Sequence, residues 1–176
     1  MKKLVVLATC AIVALIGQAA NVTWNVGSIK APGADGTFGS GNAQDAGYDV
    51  SVAVSFFLDN SGAVGDAITG FSGGTTSTTW ANGGAVKGTT AGYDFTNGSS
   101  YWTSAKILLT KGSEQWELDI EPFKFTNTKA TGNYSIATAL QNEVTTVGKF
   151  TAVPEPTSAL LFALGFAMVG LKRKRA

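Results

Sequence analysis

The chain has 176 residues, with 13 basic and 12 acidic side chains and no histidine. Between its two apolar ends, residues 20–153 hold neither cysteine nor arginine, and seven lysines against eleven carboxylates give that body a net charge of −4. This excludes Ser-His-Asp and Cys-His nucleophile sites, conventional zinc sites and disulfides within the body, and it argues against binding nucleic acid or anionic lipid.

The N-terminus opens with Lys2 and Lys3, followed by Leu4 to Ile16, apolar apart from Thr9 and Cys10. Those 13 residues are short for a bilayer span and suit the apolar core of a secretory signal. Gly17-Gln18-Ala19 puts small residues where a signal peptidase reads. The expected cut follows Ala19, with Ala20 as the near alternative, which makes 1–19 a signal helix and implies signal peptidase and the general secretion machinery as partners. Leu7 to Cys10 loosely resembles a lipoprotein cleavage box, but Thr9 is large for that site. Cys10 then reads as one more apolar residue of the signal.

Residues 20–152 are rich in Gly, Thr, Ser, Ala and Asn and form one domain of adequate size for a core. Short alternating apolar runs between glycine-rich turns predict an all-β fold, an antiparallel β-sandwich or jelly-roll-like ectodomain. Val22, Trp24 and Val26 mark a first strand, and 31–47 reads as a loop. Val50 to Leu58 is the clearest strand, apolar at every second position, and Asp59-Asn60-Ser61-Gly62 turns the chain. Ile68 to Phe71 and Tyr93 to Phe95 read as short strands, and Thr75 to Trp80 as a polar edge strand. Tyr101 to Thr110 and Gln115 to Ile120 form a hairpin around Lys111 to Glu114. Pro122 interrupts the second arm, which resumes at Phe123-Lys124-Phe125 after a bulge. Tyr134 to Thr138 and Thr145 to Ala152 are the last strands, with a helical turn over 139–143. Ala46-Gly47-Tyr48-Asp49 recurs at 91–94, each copy leading into an expected strand.

Few residues of the body bear chemistry. Glu117, Asp119 and Glu121 share one strand face. Paired carboxylates can hydrolyse glycosides or bind calcium, yet with Trp116, Leu118 and Ile120 opposite them they also suit a solvated face. Asp45, Asp49, Asp59 and Asp66 lie near turns without calcium-loop spacing. The four Trp and four Tyr could stack on sugar rings or fill a core; Tyr101 and Trp102 must point to opposite faces. Thr75 to Thr79 is too short for the repeated flat array that ice binding needs. Asn21, Asn97 and Asn133 begin N-glycosylation-type triplets.

The C-terminus carries the strongest pattern. Pro154, Glu155 and Pro156 precede an apolar run ending at Leu171, then Lys172, Arg173, Lys174 and Arg175. The apolar run has no polar face, so it reads as a transmembrane helix over 157–171 and not as a helix docked on a domain. Ser158 to Leu171 would be roughly 21 Å long as a helix, against a hydrocarbon core of roughly 30 Å, so Thr157 and snorkelling cations must extend it. The basic residues anchor on the cytoplasmic side, which leaves the body outside, as the N-terminal signal also requires. The two prolines hold the motif extended next to the membrane, where an enzyme could bind it.

This three-part tail, residues 153–176, resembles the PEP-CTERM sorting signal of exosortase substrates, also labelled an ice-binding protein C-terminal domain. The resemblance implies an exosortase-type membrane processing enzyme as partner, an inner-membrane-anchored intermediate, and delivery to the cell surface or an extracellular polysaccharide matrix. With no cofactor expected, the body reads as a non-enzymatic structural or adhesive domain. A carbohydrate-binding module is the alternative, ahead of a carboxylate-dependent glycosidase or an ice-binding protein.

Overall fold

The computed structural model describes residues 20–154. The signal segment with Ala19, the motif residues Glu155 and Pro156, the 157–171 segment and the cluster Lys172 to Arg175 lie outside the described residues. Among the described residues, no helix is long and apolar enough to cross a membrane.

The chain is mostly β. Its elements are β1 (Ala20–Ser28), β2 (Lys30–Pro32), β3 (Phe38–Asn42), β4 (Asp49–Asn60), β5 (Ala63–Ala67), β6 (Thr76–Ser77), β7 (Ala85–Thr89), β8 (Ser100–Lys111), β9 (Glu114–Thr126), β10 (Gly132–Ser135), helix α1 (Ala137–Val147) and β11 (Thr151–Ala152). The largest sheet runs β11-β9-β8-β4-β5, with β6 also on β4. A second sheet runs β10-β1-β7, and β2 pairs with β3.

The long strands follow from alternation. In β4, Val50, Val52, Val54 and Phe56 are buried, as are Tyr101, Ala105, Ile107 and Leu109 in β8. β8 pairs with β4 from Asp49↔Thr110 to Leu58↔Tyr101, which aligns the two apolar faces. The hairpin loop closes at Lys111↔Glu114, and Gly112 takes φ 61 at the first loop position, where a two-residue turn needs positive φ. The expected bulge is present: β9 accommodates an extra residue between Ile120 and Phe123 opposite Ala105 and Thr103, where Pro122 offers no N–H. Downstream of it, Phe125 still reaches the core.

β1 alternates as well, and Val22, Trp24 and Val26 join the core formed by β4, β8 and β9. The pairing corrects a purely antiparallel expectation, because β1 runs antiparallel to β7 but parallel to β10. Trp24 lies against the β7 backbone where Gly88 has no side chain to obstruct it, and its indole donates to Gly74 O at 2.5 Å. Phe95 is fully buried and packs on Phe56, Tyr93 and Tyr101, with ring centroids 5.3, 4.9 and 5.0 Å away. Buried Asn127 secures this end: its amide nitrogen donates to Phe95 O and Lys129 O, and its Oδ1 accepts from Lys129 N.

Several other expectations are corrected. Residues 31–47 are not all loop, since β2 and β3 form a small hairpin there. Ile68 to Phe71 and Tyr93 to Phe95 form no strand; Phe95 makes one bridge to Ala20. Gly47 and Gly92 both take positive φ, but only the first repeat leads into a strand. Of Thr75 to Trp80, only Thr76 and Ser77 pair, with Ala53 and Val52. The largest departure is α1, which replaces the strand end expected at 137–138 and the strand beginning expected at 145–147. Leu140 and Val144 are buried one turn apart, and the helix packs on β1. Thr145 and Thr146 sit in the helix by donating to the carbonyls of Gln141 and Asn142 at 2.9 Å each. Gly148, at φ 60, ends it with its N–H on Val144 O.

Candidate functional site

After α1, the last contact with the core among the described residues is made at Phe150. Phe150 is buried and packs on Phe38 at 5.3 Å between ring centroids, while its N–H donates to Gly36 O at 2.8 Å. Gly36 has φ 84, and a methyl group there would overlap the Phe150 carbonyl and crowd Trp116, so the position has no room for a side chain. From this seat β11 runs along the edge of β9, with Thr151↔Glu117 and Ala152↔Trp116 in register. Val153 N–H donates to Gln115 O at 2.9 Å. Pro154 follows at once and has no N–H with which to extend the ladder.

The β9 side of this junction is fixed by Glu114. Its Oε1 accepts from Trp116 Nε1 at 2.5 Å and from Tyr48 Oη at 2.8 Å. These donors, Trp116 first, hold the Glu114 carboxyl below its ordinary pKa. The Tyr48 hydroxyl is pushed above its ordinary value, by burial first and by Glu114 second. Lys111 lies over the Tyr48 ring at 5.4 Å and donates to Ala46 O. Seat and clamp thus draw on residues 36, 38, 48, 114, 116 and 150, of which only Tyr48 and Trp116 were candidates in the sequence, as aromatics that could stack on sugar rings or fill a core.

Residues 152–175 match the family model for the PEP-CTERM protein-sorting motif. The matched segment starts inside β11, so Ala152 and Val153 belong both to the folded domain and to the PEP-CTERM segment. No curated protein and no solved structure matches the chain significantly. The PEP-CTERM motif implies an exosortase as processing partner and export with a membrane-anchored intermediate before surface display.

Several of the remaining candidates lie on the outer face of the large sheet. Tyr101 is buried and Trp102 faces outward, as their adjacency on one strand requires. Trp102 is half-buried beside its cross-strand partner Phe57. Its Nε1 donates to Asp59 Oδ1 at 2.8 Å, and Lys124 Nζ lies 3.0 Å from Asp59 Oδ2. Those two donors, Lys124 first, lower the Asp59 pKa. Farther along, Lys106 Nζ lies 2.8 Å from Glu117 and 3.3 Å from Asp119. The carboxylate row is therefore partly neutralised by the strand next to it. Between the two groups, Ala53, Ser55 and Ser104 leave an open depression of about 430 Å³ bordered by Lys106, Asp119, Glu121 and Pro122. Among the described residues, no group of three or more Asp or Glu side chains is placed to hold a metal ion. Asp45, Asp49 and Asp66 are not brought together with the row.

Proposed function

We propose that residues 20–152 are the ectodomain of an exported surface or matrix protein with a structural or adhesive role and no enzymatic activity. On this reading the β10-β1-β7 sheet is one layer of a sandwich and the large sheet is the other. Support for the layering comes from the single core to which both contribute. The observation that carries the functional reading is the continuity of β11 with the matched sorting segment: the last strand of a folded domain runs straight into the tail. A signal cut after Ala19 is consistent with this, because Ala20 is fully buried at the head of β1 and a cut beyond it would remove a core residue.

The test is the intact mass and the terminal peptides of the protein recovered from the surface of cells that contain an exosortase. Loss of the segment after the 154–156 motif is expected. Surface-delivered protein that still yields the Lys172 to Arg175 peptide would contradict the reading.

A carbohydrate-binding role is the second reading, favoured by Trp102 and Phe57 beside a depression floored by serine and alanine on an open sheet face. Binding to extracellular polysaccharide that is lost in Trp102→Ala would support it, and a blank glycan array would remove it. A glycosidase draws less support, since Glu117 and Asp119 lie side by side on one face, both paired to Lys106, and do not oppose each other across a cleft.

A further inference from the structure

The residues before the motif have two claims on their backbone. An enzyme that grips an extended peptide does so largely through main-chain hydrogen bonds. Pro154 and Pro156 have no N–H, so within the motif Glu155 alone can donate. Upstream, the next donors are Thr151, Ala152 and Val153. In the folded domain these residues pair with Glu117, Trp116 and Gln115 at the sheet edge. Strands in a sheet lie about 4.8 Å apart, so β9 occupies one whole side of the chain up to the residue before Pro154. A cleft that encloses the peptide cannot close around it while β9 is there.

We infer that β11 is a shared recognition strand, held by β9 in the resting domain and transferred to the exosortase for processing. The inference rests on the sorting reading and adds the step that precedes cleavage. Release is local. β11 has two residues, both with exposed side chains, so peeling it away pulls no side chain out of the core. Phe150, buried on Phe38 and bonded to Gly36, stops the peeling and keeps the domain folded. Short, exposed strand ends of this kind are where proteins open first.

The directly opposed pair Thr151 and Glu117 allows a test on the full chain. The precursor carrying Thr151→Cys and Glu117→Cys is purified, oxidised, and incubated with membranes containing the exosortase, with or without reductant. Loss of the basic C-terminal peptide is followed by mass spectrometry. A cross-link that holds the strand in place is expected to slow processing ~10-fold or more, with recovery on reduction. Equal rates for the oxidised and reduced forms would overturn the transfer step while leaving the sorting reading intact. If the unaltered precursor is not processed either, the sorting reading fails and the inference goes with it. A second variant inserts Gly-Ser-Gly-Ser after Phe150, keeping Thr151 to Pro156 contiguous. It is expected to be processed at least as fast as the unaltered chain. Slower processing would mean that the enzyme reads the strand while β9 still holds it, which also overturns the inference.

Discussion

Trp116 and Glu114, two residues apart on β9, are joined by an indole-to-carboxylate hydrogen bond of 2.5 Å that sets the indole beside the seat of the C-terminal segment. The same carboxylate oxygen also accepts from Tyr48, just before β4. One acidic side chain therefore ties the β8–β9 hairpin to the start of β4 and stiffens the edge on which β11 lies.

A pH dependence follows. In the folded protein the Trp116 indole, and after it the Tyr48 hydroxyl, hold the Glu114 carboxyl below its ordinary pKa. Folding therefore favours the ionised form. The stability this contributes is fully present above the unfolded value and is lost as pH falls through the folded value. Glu114→Gln is expected to be less stable than the unaltered protein at pH 7, and the gap is expected to narrow by pH 3. Urea unfolding of both proteins at the two pH values measures it. A gap independent of pH would show that the carboxylate charge plays no part.

Phe150 is the anchor of the C-terminal segment. Phe150→Ala should cost about 3 kcal/mol through lost burial and the cavity left behind. Val147→Ala, at a side chain 39% exposed on α1, should stay within about 0.5 kcal/mol. Denaturant unfolding of the two variants compares them directly.

Asn127 satisfies two loop carbonyls from a fully buried position. Asn127→Ala leaves Phe95 O without its side-chain donor and should destabilise the domain by about 2 kcal/mol. Near-ultraviolet circular dichroism should register loosening of the aromatic cluster around Phe95 before the β signal is lost.

Ser61 occupies the left-handed region at φ 53 in the tight turn between β4 and β5, next to Gly62 at φ 93. Asn tolerates that conformation better, so Ser61→Asn should raise stability by about 0.5 kcal/mol. A lower melting temperature in this variant would count against the strain argument.

What could be read from the sequence tracks the physics of each segment. β4, β8 and β9 were legible because each has one face in the core, and alternation records that directly. Pro122 announced the bulge because proline cannot serve the ladder. β5 and β7 were not legible: five-residue strands rich in Ala and Gly lie at sheet edges and carry little apolar signal. α1 was hidden by Thr145, Thr146 and Val147, which favour strands locally until packing of Leu140 and Val144 overrides them. The parallel pairing of β1 with β10 depends on a partner far along the chain, and no local pattern encodes it. Alternation separated Tyr101 from Trp102 but left open which faced inward; the phenylalanines gathered around Tyr101 decide that. The proline motif was plain in the sequence, but its seat was not, because Gly36, Trp116 and Phe150 meet only once the sheet has formed.

The placement of β1 also bears on when the domain can fold. A chain threaded through a membrane from its N-terminus delivers β1 first, yet β1 is the middle strand of its sheet, with β7 on one side and β10 on the other. Its parallel neighbour begins only at Gly132, and the helix that packs on it follows at Ala137. Such long-range pairing is slow to form. The earliest part of the protein to arrive must therefore wait, open and apolar on one side, for nearly all the rest. A chaperone on the far side of the membrane would meet this protein first at Val22, Trp24 and Val26.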